Sequence, residues 1–147
     1  MTNRITSILD RSPASIKRPK PLPPGTYLTV VRGLPRYDKS SKKQTEFVEF
    51  TLVIQKPADD VNPEDLAAMG GCIGKEIKAT YYLTDDAVYR LKDFLEHCDF
   101  DVDSDEATLR EMSEQAAGSQ VWATIRHESS QDGKQIFARL RDTARVE

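Results

Sequence analysis

The chain has 147 residues, enough for one domain with its own core, and 38% hydrophobic against 31% charged residues is the balance of a globular protein. Its net charge of -3 conceals a segregation: residues 1–43 hold ten Lys/Arg against two Asp/Glu, 44–120 hold six against eighteen, and 121–147 hold five against four. No apolar run reaches the roughly 20 residues of a spanning helix, and the N-terminal "MTNRITSILDRSPASIKRPKP" has no apolar signal core, so neither a membrane role nor export is expected.

Residues 1–24 contain five of the eight prolines and few large apolar residues, which predicts an extended basic arm ordered against a partner. Within it Ile5, Ile8 and Leu9 sketch one helical turn. The domain proper is expected over 25–147. It begins with "TYLTVVRGL", a β-branched and aromatic run that reads as the first strand. The cationic segment "PRYDKSSKKQ" follows and reads as a hairpin tip, with loop 35–45 carrying Arg36, Tyr37, Lys39, Lys42 and Lys43. "TEFVEFTLVIQ" alternates as the second strand, Val48, Phe50, Leu52 and Ile54 facing the core and Phe47, Glu49, Thr51 and Val53 facing away.

"NPEDLAAMGG" predicts a short helix with Asn62 as its cap, Pro63 at its first position and a stop at Gly70. "MGGCIGK" follows that helix instead of a strand, so its glycines read as a turn and not as a phosphate cradle. "KEIKATYYL" is the third strand, Ile77, Ala79, Tyr81 and Leu83 on one side and Lys78, Thr80 and Tyr82 on the other. Thr84 then caps "DDAVYRLKDFLEHC", a helix with Val88, Leu91 and Leu95 at helical spacing.

Cys72 and Cys98, with His97 and His127, share no ligand spacing, and adjacent His97 and Cys98 point about 100° apart on a helix. Metals, cofactors and nucleophilic catalysis are therefore not expected. Asp103 and Glu106 have capping-box spacing before a short helix ending near Gly118. The aspartates at 99, 101, 103 and 105 lack the glycine and terminal glutamate of a calcium loop. "SQVWATIRHE" and "KQIFARLRD" close the chain as a hairpin around "SSQDG".

Five strands with the principal helix between the third and fourth is the order of an OB-fold, a mostly β Greek-key barrel with a helical insertion between strands 3 and 4. Another five-stranded barrel or sandwich shares that order. The segments "PLPPGTYLTVV", "EFVEFTLVI", "GKEIKATYYLTDDAVYRLKDFLEHC" and "GSQVWATIRHESSQDGKQIFARL" together resemble a family of bacteriophage OB-fold single-stranded-DNA-binding proteins from replication and recombination modules. The resemblance spans roughly residues 21–142. It implies a non-enzymatic protein in the cytoplasm of a bacterial host, with single-stranded DNA as ligand and either self-association or a replication or recombination protein as further partner.

On that reading Arg32, Arg36, Lys39, Lys42 and Lys43 meet phosphates while Tyr37, Phe47 and Tyr82 offer faces to bases. Arg126, Arg139 and Arg141 either extend the phosphate track or form surface ion pairs. Trp122, Phe137 and Tyr81 are stacking platforms or core residues, and Glu49 on the presumed binding face opposes a polyanion. The rival is a protein-interaction or virion-assembly module in which the basic arm grips a neighbouring subunit and the acidic stretch 99–114 docks elsewhere.

Overall fold

Alternation in the second strand sets the inside of the fold. A computed structural model describes residues 9–10, 12–15 and 21–146. Val48, Phe50, Leu52 and Ile54 are buried along β2 (Glu46–Pro57), between β1 (Gly25–Lys39) and β3 (Glu76–Tyr82). A short helix α1 (Pro63–Ala68) links β2 to β3, and helices α2 (Tyr89–His97) and α3 (Leu109–Gln115) precede the hairpin β4 (Gln120–Ser129) and β5 (Ile136–Arg145). All four ladders are antiparallel and the strand order is β3-β2-β1-β4-β5. This is the OB-like order expected, a mostly β sheet with helices inserted between β3 and β4, but left open: β3 and β5 are its two edges.

The long strand β1 serves both halves of the sheet. Residues Gly25–Val30 pair with β4, and the strand pairs with β2 from Tyr27 to Lys39. Its register slips between Leu28 and Thr29 and again between Arg32 and Arg36. Bulges bend a strand and add twist, so the sheet curls around its buried face. The second bulge also seats Pro35, which has no N–H to give a ladder. At the start of β1, Gly25 has φ +136, and a Cβ there would lie 2.6 Å from Val61 Cγ2. Beside it, Asp60 accepts Thr26 N at 2.9 Å and Thr26 Oγ1 at 2.8 Å, bonds that hold its carboxyl below the usual range.

Helix α2 lies over the open side of the sheet. Leu91, Phe94 and Leu95 are buried, and the Phe94 ring sits 4.7 Å from Phe50 and 5.1 Å from Tyr81, centre to centre. At its C-terminal end His97 Nδ1 and Thr143 Oγ1 of β5 are 2.7 Å apart. The helix therefore touches both free edges.

Several local expectations hold. Asn62 Oδ1 accepts the Glu64 and Asp65 amides, Pro63 opens α1, and Gly70 at φ +81 follows its end. Others are corrected. The hairpin tip is shorter than loop 35–45: β1 runs through Arg36 and Tyr37 to Lys39, because Glu46–Glu49 supply ladder partners, and only residues 40–45 turn. Helix α2 starts at Tyr89, since Thr84 engages Ala87 and Val88 through its carbonyl in a preceding turn. The capping box is Thr108 with Glu111, not Asp103 with Glu106. The Asp103 and Glu106 amides are instead taken by Asp101 and Ser104 in local turns. Of the helical turn drawn from Ile5, Ile8 and Leu9, Ile5 and Ile8 lie outside the described residues. Leu22 packs against the core, Pro23 is buried, and the Pro23 carbonyl accepts the Tyr27 hydroxyl at 2.6 Å. No helix among the described residues is long and apolar enough to cross a membrane.

Thr108→Ala, which removes the true cap, should lower the unfolding free energy in urea by about 1 kcal/mol. Asp103→Ala should stay within about ±0.5 kcal/mol, and the opposite ranking would contradict the assigned helix start.

Candidate nucleic-acid interface

Register decides which of the predicted residues meet. On the outer face of β1–β2–β3 the ladders align Arg32, Thr51 and Lys78, then Arg36, Glu49 and Thr80, then Asp38, Phe47 and Tyr82. Arg32, Arg36, Phe47 and Tyr82 thus share a surface. Phe47 and Tyr82 meet edge to face at 6.2 Å, and the Arg36 guanidinium lies 5.2 Å from the Phe47 ring. The cations of this face are already engaged. Arg32 donates to Glu76 at 2.8 Å and Lys78 lies 3.5 Å from the same carboxylate, while Arg36 reaches Asp38 at 2.6 Å and Glu49 at 3.4 Å. The Arg32 hydrogen bond holds the Glu76 carboxyl below its ordinary range. Three cations meet three carboxylates, so this face has rings but little net positive charge.

Tyr37 stands on the other side of the sheet, because it pairs with Val48 while its neighbour Asp38 pairs with Phe47. Its ring is 40% exposed and lies 5.0 Å below the guanidinium of Arg110 from α3. Burial, with Glu114 nearby, pushes its hydroxyl pKa up. Lys39 ends β1, and Lys42 and Lys43 sit in the tip. Among the described residues these three enter no ion pair.

The free edges of β3 and β5 flank an open groove of about 1070 Å³. Lys78, Thr80 and Tyr82 form one wall, Arg139 and Arg141 the other, and Tyr89, Arg90, Asp93 and His97 of α2 contribute to the lining. Tyr89 is 54% exposed, and Arg90 Nε donates to its hydroxyl at 3.2 Å. Across the β4–β5 ladder Arg126 lies directly opposite Arg139. Like charges so placed repel. Glu128, 3.6 Å from Arg139, offsets part of this, and Arg139 also lies 5.5 Å from the Phe137 ring. Arg90, Arg126 and Arg141 enter no ion pair among the described residues.

Sequence reasoning omitted Tyr89, Arg90 and Lys78, and held Arg141 only as an extension of a phosphate track. Nothing local marks them: Tyr89 and Arg90 read as solvent positions of a helix. Only the approach of β3, β5 and α2 gathers them. Of the other rings, Tyr81 belongs to the core with Phe94, and Trp122 lies half-buried on the outer side of β4.

A scan against protein-family models finds no match to this chain, and a search of curated proteins finds none. A search of solved structures finds, among others, a chain of "Yeast RPA bound to ssDNA" with a TM-score of 0.32 and 9% identity, covering 100% of this chain and 90% of that one. A likeness that distant carries no argument about this protein.

The adjacent His97 and Cys98 do not form a reactive pair. His97 turns to Thr143, whereas Cys98 is buried and its thiol is pushed up to about 12 by that burial. No set of three or more His, Cys, Asp or Glu among the described residues is placed to hold a metal. Cys98 should resist alkylation at pH 8 in the native protein and react once unfolded, as peptide mass mapping would show. Because its folded pKa lies above its ordinary value of 9.0, its contribution to stability is complete below pH 9.0 and fades as pH rises toward about 12. Rapid native-state alkylation would contradict this.

Proposed function

We propose that this protein is a non-enzymatic module that binds single-stranded DNA with little sequence preference, and that the bound strand follows the open β3–β5 seam. The carrying observation is the seam itself: Arg90, Arg139 and Arg141 stand beside Tyr82 and Tyr89 in one groove, and two of those three arginines have no carboxylate partner among the described residues. Such a groove serves both halves of the ligand. Guanidinium groups neutralise phosphates and release counterions, while exposed rings stack on bases of any identity. The unpaired Lys39, Lys42 and Lys43 of the first hairpin extend the positive track beyond Tyr82, and Arg126 extends it on the β4–β5 side. Arg32 and Arg36 take a smaller part, since binding a phosphate would have to compete with Glu76, Asp38 and Glu49.

The resemblance of the sequence to phage proteins of replication and recombination supports a place in those processes, in the cytoplasm of a bacterial host. The basic arm 1–24 then joins the DNA track or grips a second protein. The acidic stretch 99–114 is less suited to docking than its composition suggests, because Asp99 pairs with Arg145, Asp103 with Lys92, and Glu111 closes the cap of α3.

Fluorescence anisotropy with a labelled oligonucleotide tests the reading. Tyr89→Ala should weaken binding by about 1–3 kcal/mol with an unchanged unfolding midpoint. Arg141→Glu should weaken binding to all sequences and flatten the slope of log K against log salt by about 0.7, the share of a single phosphate. Arg32→Ala should change affinity less than either. Absence of saturable binding at low salt, or duplex bound as tightly as single strand, would overturn the proposal.

A further inference from the structure

A second cavity, about 490 Å³, opens where the first hairpin meets α3. Its size falls in the roughly 300–1,000 Å³ range of small-molecule sites. Tyr37, Asp38, Lys39, Glu46, Phe47 and Arg110 are among its lining residues, and the Asp38 carboxylate is engaged by Arg36 and by the Lys39 amide. We propose that this cavity is a subsite for a single nucleobase bearing an exocyclic amino group, so that one position of the bound strand is read while the rest is not. The inference rests on the single-strand reading above.

The chemistry is that of a flat cationic and aromatic platform with an acceptor at its edge. The Arg110 guanidinium lies over the Tyr37 ring at 5.0 Å, which sets a cation and an aromatic ring together at the cavity wall, groups on which a base stacks. Glu46 is exposed and enters no ion pair among the described residues, although Lys39 lies opposite it in the ladder. A carboxylate accepts from the N4 amino group of cytosine. It repels the carbonyl oxygen that thymine presents at the same place. The backbone of Glu46 is fixed by the bond from Leu83 N to its carbonyl at 2.8 Å, which aims the residue without using its side chain. Lys39 lines the cavity and suits a phosphate beside an inserted base, and Lys42 and Lys43 follow it in the hairpin tip.

Affinity would be compared for an all-thymidine oligonucleotide and the same oligonucleotide with one central deoxycytidine. The wild-type protein should favour the second by about fivefold or more. Glu46→Ala should bring the ratio to about one, with affinity for the all-thymidine oligonucleotide raised because the charge that repels the thymine carbonyl is removed. Arg110→Ala, an exposed position on α3, should likewise remove the preference, with unfolding midpoints confirming that both variants fold. Saturable binding of both oligonucleotides with a wild-type ratio near one would overturn the subsite and leave the single-strand reading standing. A preference that survives both substitutions would place base recognition elsewhere and overturn it too. No binding of either oligonucleotide would overturn both readings.

Discussion

Helix α2, and not a strand ladder, joins β3 to β5. Phe94 packs on Tyr81 and Phe50 on one side, and His97 meets Thr143 on the other, so the helix reaches both edges of the sheet. Paired strands would sit about 4.8 Å apart and consume each other's amides and carbonyls. Here the edges stay apart, and a groove remains between them. Register slips bend the sheet so that β5 comes round toward β3: two lie in β1 at its centre and a third in the β4–β5 ladder between Thr124 and Ile125. The groove therefore follows from the fold and needs no special loop.

Charge is distributed in keeping with that geometry. The outer face of β1–β2–β3 carries Arg32, Arg36 and Lys78 in a network with Glu76, Glu49 and Asp38, which cancels locally. Exposed pairs of this kind add about 0–1 kcal/mol each to stability, but they remove free cations from the surface. Around the seam and the first hairpin Arg90, Arg141, Lys39, Lys42 and Lys43 enter no ion pair among the described residues, whereas Arg139 meets Glu128 and Lys78 meets Glu76. A protein with net charge -3 can thus present local positive patches, because many of its acids sit on the segment before α3 and within the neutral face, although Asp93 and Asp142 also line the seam.

The sheet was legible in the sequence because period-two alternation is a strong signal. The buried set Val48, Phe50, Leu52 and Ile54 and the side assignment of Ile77, Ala79 and Tyr81 could be read directly. Boundaries were less legible, for local reasons. Pro35 looked like a strand end until the bulge around it was known, and Thr84 and Asp103 looked like caps although other bonds claimed them. Site residues divide in the same way. Phe47 and Tyr82 could each be assigned to an outward face by alternation, but Arg36 and Tyr37 were expected in the loop and could not be placed on opposite sides of the sheet without the register after the bulge. Tyr89, Arg90 and Arg141 come from elements distant in sequence, so no spacing rule brings them together. The ion pairs that neutralise Arg32 and Arg36 are likewise contacts between strands, invisible to a count of charges.

The central claim is that single-stranded DNA runs along the β3–β5 seam. Its most direct test is photo-cross-linking of an oligonucleotide carrying 5-iodo-deoxyuridine, followed by mass-spectrometric mapping of the adducts. The account predicts adducts on Tyr82 and Tyr89, both at the groove, and their loss when unlabelled oligonucleotide competes. Adducts confined to Trp122 or to the N-terminal arm, with both tyrosines unmodified, would contradict it.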